Sequence, residues 1–249
     1  MNCLSSIDCL LSLFLRRDFL YHFCENLKDK QTSFPGILYF RAKPMKCTNG
    51  KRKQIAFLKT HKTGSSTMTG ILNRFTDINH LDIAIPVNDI RFNWPAPFTH
   101  EYVQVSRLKE RRVDVLDNHC VFNRPEISKL MKPNFRMITI LREPVSQFYS
   151  MFYYLNLPKH YGLTNYSDPV AEFMKLPHRY HHFKPYLQVG REKYFEENLI
   201  HNGNLHDLDF ARFKEKGGEK RGLKSFTAYL ERAFHLVLIT EKYDEGLIL

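Results

Sequence analysis

The chain has 249 residues, with 37 Lys and Arg against 26 Asp and Glu, giving a formal charge of +11. Its 43% hydrophobic and 25% charged residues separate it from chains held disordered by charge, and at this length a core closes without metal or disulfide staples. Eleven Gly and twelve Pro with no repeat of fixed period exclude collagenous, low-complexity and solenoid chains.

Residues 1–53 read as a loosely organised basic leader, interrupted by Pro35, Gly36, Pro44 and Gly50. Its longest apolar run, Cys9 to Leu15, is broken by Ser12 and bounded by Asp8 and Arg16. That is far short of the roughly 20 residues of a membrane span, and no basic n-region or small-residue cleavage site marks it as a signal peptide. The five Cys, at positions 3, 9, 24, 47 and 120, form no CxxC pair, which argues against a structural zinc site. From Arg41 to Lys62 the chain carries eight Lys or Arg and no acid. Such a run makes a local field that draws anions, leaving nucleic acid, an acidic membrane face and a phosphorylated small molecule as partners by charge alone.

A compact domain, 54–249, follows. Ile55 to Leu58 is a run of strand length, Lys59 to Gly64 is a polar turn, and Met68, Ile71, Leu72 and Phe75 fall on one helical face. Val113 to Leu116 predicts a second strand, ending at Asp117-Asn118-His119-Cys120. The first grammar then recurs: Phe135 to Leu141 is β-rich, Arg142-Glu143 turns, Pro144 suits a first helical position, and Val145, Phe148, Tyr149 and Phe152 give a helical face. Leu157 to Gly222 is rich in His, Lys and Tyr; helices are expected there, but no function is legible. Phe234 to Thr240 predicts a last strand. The pattern is α/β, a mainly parallel sheet flanked by helices, with ligands bound beyond the carboxyl ends of the strands.

The segment Lys59-Thr60-His61-Lys62-Thr63-Gly64-Ser65-Ser66-Thr67 sets lysines, hydroxyls and a glycine between strand and helix. Backbone N–H groups at a helix start bind anions, Gly64 permits close approach, and Ser65, Ser66 and Thr67 offer hydroxyl donors. The G-x-x-x-x-G-K-[ST] order and an acidic pair for Mg²⁺ are both missing, so an ATPase or kinase is disfavoured and no metal is expected. Arg142 at a strand end and Ser150 about two helical turns on can face one ligand, a pairing suited to a second phosphate.

At Phe57 to Thr67 (FLKTHKTGSST) and Ile138 to Phe152 (ITILREPVSQFYSMF) the chain resembles the PAPS-dependent carbohydrate sulfotransferases, most closely the galactose-3-O-sulfotransferase family. Weaker similarity runs through Asn118-His119 and Leu236 to Glu245 (LVLITEKYDE). The resemblance implies a P-loop-NTPase-like sulfotransferase fold, PAPS as co-substrate, a galactose-terminated glycolipid or glycan as acceptor, and a lumenal Golgi location. It implies that Lys62 contacts the oxygen bridging phosphate and sulfate. Lys59, Thr63, Gly64, Ser65, Ser66 and Thr67 would complete the 5′-phosphosulfate site, and Arg142 and Ser150 the 3′-phosphate site. It further points to His119 as the general base, with His61 as rival and a carboxylate base still open. Trp94 is assigned a core or turn role, and Asn165-Tyr166-Ser167 is an N-glycosylation pattern if the chain enters the secretory pathway. Family members carry an N-terminal anchor and continue beyond this C-terminus, so the chain is expected to be truncated at both ends. The alternative reading is a catalytically inactive paralogue that binds nucleotide or anionic glycan; a nucleic-acid-binding role ranks last, because no DNA or RNA motif is present.

Overall fold

A computed structural model describes residues 53–87, 91–104, 112–180, 186–189, 192–195, 197–200, 202–214 and 219–248. The expected leader, apart from its last residue, lies outside the described residues. Four strands form the central sheet: β1 (Ile55–Leu58), β2 (Val115–Leu116), β3 (Arg136–Leu141) and, last in the chain, β6 (Leu236–Ile239). Their order is β2-β1-β3-β6 and every pairing is parallel, with Ile55 opposite Val115 and Arg136, and Ile138 opposite Leu236. A separate antiparallel hairpin joins β4 (Tyr186–Val189) to β5 (Glu192–Phe195).

Helices supply the crossovers that parallel strands require. Helix α1 (Ser65–Ile78) lies between β1 and β2, and α2 (Arg124–Leu130) between β2 and β3. After β3 come α3 (Pro144–Tyr154), α4 (Leu157–His160), α5 (Pro169–Lys175), α6 (Glu197–Ile200), α7 (Gly203–Asp207), α8 (Ala211–Lys214) and α9 (Glu219–Ala233); α10 (Tyr243–Ile248) closes the chain. The expected strand at 113–116 is shorter than predicted, because Val113 bridges to Met131 outside the ladder with β1.

Alternation along the strands divides the core between the two sheet faces. Ala56, Leu58, Leu116 and Met137 join Phe92, Phe98 and Phe226 in one cluster, whereas Phe57, Val115, Ile140 and Leu238 pack with Met68 and Leu72 of α1 in another. A third cluster of Trp94, Met151, Phe152, Leu157, Leu163 and Phe173 gathers the helices after β3. The buried side of α3 is Gln147, Met151 and Phe152, rotated from the predicted one: Val145 and Tyr149 are 61% and 42% exposed. The helix is apolar on most of its circumference, so periodicity alone did not decide which side meets the core.

The connection from β1 runs to β2 on one side of the sheet, and the chain then crosses to β3 on the other. The topological switch point therefore falls between β1 and β3, where a crevice opens beyond the carboxyl ends of the strands. Both strand-turn-helix motifs point into it.

Candidate active site

The turn after β1 is held from beneath by its own hydroxyls. Thr60, fully buried, donates its hydroxyl to the Ile140 carbonyl of β3, and its Oγ1 is 2.9 Å from Thr63 Oγ1. Ser65 Oγ donates to the Thr60 carbonyl at 2.6 Å, and Thr63 Oγ1 makes a longer contact to the same oxygen at 3.2 Å. The Ser65 hydroxyl, expected to face a bound anion, is turned inward here, and the Thr63 hydroxyl likewise. What these two residues present to the crevice is backbone. Ser66 and Thr67 are exposed.

Left-handed backbone at Lys62 (φ 60°) and Gly64 (φ 73°) bends the chain into α1, which starts with no side-chain cap and no acidic residue in its first turn. A 14-residue helix with an uncapped, acid-free N-terminus beside a lysine fits an anionic ligand. A Cβ on Gly64 would stand 3.3 Å from the Tyr243 ring, and Tyr243 Oη donates to the Gly64 carbonyl at 3.4 Å. Gly64→Val is therefore expected to cost about 2 kcal/mol from the left-handed backbone alone, visible as a lowered melting temperature. A variant as stable as the wild type would contradict the close approach.

Arg142, at the end of β3, meets this turn directly: its Nη1 donates to the Lys62 carbonyl at 3.3 Å. Its Nε is buried without a hydrogen bond and lies 4.0 Å from Glu241 Oε1. Glu143 does not pair with the arginine but caps α3, accepting from the Val145 and Ser146 N–H groups at 2.9 and 2.7 Å, which with the nearby Arg142 hold its carboxyl below the usual range. Ser150 lines the same open cleft as Arg142, about 620 Å³, together with Val145, Ser146, Tyr149 and Tyr153. The exposed apolar residues of α3 thus form a wall of this cleft. Lys62 Nζ rests 4.1 Å over the Tyr154 ring, and burial first, then the charge of Arg142, lowers its pKa from 10.5.

Residues not singled out in the sequence fix both units from behind. On α7, Asn204 donates to the Arg142 carbonyl at 3.1 Å, and the Asp207 carboxylate accepts the His61 N–H at 2.7 Å. Thr240, just after β6, shares its hydroxyl between the Thr63 and Leu141 carbonyls at 2.8 and 2.9 Å. Thr240, Glu241 and Tyr243 lie inside the LVLITEKYDE stretch, so a signal for them existed. Asn204 and Asp207 sit on a five-residue helix too short for any periodicity to reveal.

On the β2 side, the β1–β2 pairing continues into the site through a parallel bridge between Lys59 and His119. His119 Nδ1 is 3.0 Å from the Lys59 carbonyl. A carbonyl only accepts, so Nδ1 bears the proton and Nε2 keeps its lone pair. Burial, then the charges of His61 and Lys59, push the His119 pKa well below 6.5, against the opposing bond to the Lys59 carbonyl. Asp117 is 3% exposed, has an Oδ2 without a hydrogen bond, and is raised by burial to about 6 despite the nearby Lys59. Lys59, its own pKa lowered by burial, interacts by charge with Asp117 and His119. Trp94 is 3% exposed, as its assigned core role requires, and its Nε1 donates to Asp207 at 3.0 Å. Among the described residues no group of His, Cys, Asp and Glu is arranged to hold a metal ion, and no helix is long and apolar enough to cross a membrane.

Comparison with known proteins bears on this arrangement. The family profile described as galactose-3-O-sulfotransferase matches residues 11–249. The chain is 34% identical over 200 residues to a galactosylceramide sulfotransferase of Bos taurus, covering 80% of this chain and 44% of that protein. It is 31% identical over 203 residues to the human galactose-3-O-sulfotransferase 3 and 32% identical over 197 residues to the human galactose-3-O-sulfotransferase 2, with 80% and 78% of this chain covered. It spans less than half the length of these relatives, 44% to 46%. No solved structure gives a significant match. A parallel sheet with both motifs at its switch point, and a profile match over nearly the whole sequence, lead to one conclusion: the chain belongs to the galactose-3-O-sulfotransferase family.

Proposed function

We propose that the protein transfers a sulfuryl group from PAPS to the 3-hydroxyl of galactose on a glycolipid of the galactosylceramide type or on a glycan, in the lumen of the Golgi. The observation that carries this reading is the meeting of Lys62 and Arg142 across the β1–β3 crevice, beside the uncapped start of α1. Two cations there match two phosphate groups of one donor, which supplies an activated sulfuryl group with a stable leaving phosphate.

Sulfuryl transfer resembles phosphoryl transfer in asking the protein for position and charge rather than covalent chemistry. Lys62 places its ammonium where negative charge grows on the leaving oxygen. The N–H groups of the Thr63–Thr67 turn hold the 5′-phosphate; Arg142 and Ser150, on one cleft, hold the 3′-phosphate. His119 Nε2, unprotonated, takes the proton from the acceptor hydroxyl.

The test is labelled sulfate transfer from PAPS to a panel of galactose-terminated lipids and glycans, with binding of adenosine 3′,5′-bisphosphate measured alongside. Saturable binding is expected, weakened at least about 10-fold in Arg142→Ala through loss of charge-assisted bonds. Binding without transfer to any galactoside would favour a nucleotide-binding paralogue, and equal binding by Arg142→Ala would remove Arg142 from the site.

A further inference from the structure

Asp207 is fully buried. Three N–H groups converge on it: the backbone N–H of His61 at 2.7 Å, His61 Nδ1 at 2.9 Å and Trp94 Nε1 at 3.0 Å. The main chain of Asp207 is fixed as well, its carbonyl accepting the Phe122 N–H at 2.8 Å. A carboxylate taken out of water is tolerated only when its lone pairs are satisfied, and here two of three donors come from one residue. His61 is thereby locked in both backbone position and ring orientation.

The locked ring lies between two aromatic neighbours. His61 and His119 lie face to face, centroids 3.9 Å apart and planes 14° from parallel. Trp94 closes the other flank of His61 at 4.9 Å and carries Arg91 4.7 Å over its own ring. Ring N–H bonds lie in the ring plane, so two stacked imidazoles exchange no hydrogen bond, and His61 cannot relay a proton to His119 directly. Its influence is confined to contact, which sets the plane of the His119 ring, and to charge.

We propose that Asp207 is a positioning residue for sulfate transfer: by fixing His61 it holds the His119 imidazole in the one plane that presents Nε2 to the acceptor hydroxyl. The inference rests on the proposed reaction and on His119 as its base. The bond from His119 Nδ1 to the Lys59 carbonyl anchors one edge of the ring, but leaves the ring free to tilt about that bond; the stacked His61 removes the tilt. The groups that act on His119 by charge are His61, Lys59 and Arg91, with Asp207 behind His61 and Asp117 beside Lys59.

Asp207→Asn keeps the size of the side chain but sets an amide N–H against the His61 donors. In the full chain saturated with PAPS, this variant is expected to lose about 10- to 100-fold in kcat, as when a partner that orients a functional imidazole is removed. Acceptor KM and nucleotide affinity should stay within about threefold, a split that simple unfolding would not give. His61→Ala, which removes both platform and charge, is expected to lower kcat likewise and to move the His119 titration, followed by NMR of histidine labelled with nitrogen-15, upward from its depressed value. Wild-type kcat in both variants together with an unchanged His119 titration would overturn the proposal. Should Asp207→Asn fail to fold, Trp94→Phe removes one donor while keeping most of the packing, and wild-type kcat in that variant would overturn it equally. A wild-type chain that binds no nucleotide or transfers no sulfate would defeat the proposed function; the His119 titration in His61→Ala then decides the coupling alone.

Discussion

Alanine at position 62 is expected to lower the rate of sulfate transfer by about 10²- to 10³-fold, the loss seen when one preorganised group at a developing charge is removed. The argument runs from backbone to charge. Lys62 sits at φ 60°, a left-handed conformation that turns its side chain out of the turn, and its ammonium lies 4.1 Å over the Tyr154 ring. Burial and the neighbouring Arg142 lower its pKa from 10.5, so the partly desolvated ammonium gains more from a ligand anion than a fully exposed lysine does. Because the leaving oxygen acquires charge only as the bond breaks, most of the loss should fall on kcat, with a smaller effect on nucleotide binding. Lys62→Arg should rescue little: a guanidinium can still stack on the Tyr154 ring, but its charge is spread over a wide planar fork and does not place a compact point charge at the leaving oxygen. Single-turnover rates at saturating PAPS make the comparison. A Lys62→Ala rate within threefold of the wild type would exclude Lys62 from the leaving-group side.

Much of this site was legible because its two halves obey local rules. Strand, polar turn and amphipathic helix recur at Ile55–Ile78 and Arg136–Tyr154, and parallel pairing then obliges both turns to the same edge of the sheet. Lys62, Gly64, Arg142 and Ser150 lie where that grammar sends them, and the structure joins Lys62 to Arg142 and Arg142 to Ser150. The inward direction of the Thr63 and Ser65 hydroxyls was not legible, because it depends on the Thr60 carbonyl being left without a helical partner beneath them. Nor was Asp207 or Asn204, since each acts through a contact spanning 146 or 62 residues, and no sequence period encodes such distances. The α3 face was misjudged for the opposite reason: too many apolar residues, of which Val145, Tyr149 and Tyr153 line the cleft instead of the core.

His119→Gln is expected to reduce transfer by about 10²- to 10⁴-fold, the range of a lost general base, with nucleotide affinity unchanged. The same residue fixes the pH dependence. A base works in its neutral form, and His119 is held well below 6.5 by burial first, then by the charges of His61 and Lys59. Acidification must therefore go below 6.5 before the imidazole takes up a proton, so kcat/KM should be level from about pH 6.5 upward and fall only on the acid side. Asp117, raised by burial to about 6, would as a base also give an acid limb, so the limb alone does not choose between them. Their substitutions do. With His119 as base, Asp117→Asn leaves the acid limb in place and His119→Gln abolishes it along with most of the rate. The reverse pattern, a limb that survives in His119→Gln and vanishes in Asp117→Asn, would make the carboxylate the base. Geometry favours the first outcome: the bond from Nδ1 to the Lys59 carbonyl and the His61 stack both act to hold His119 Nε2 as an oriented acceptor, whereas Asp117 Oδ2 has no partner that aims it.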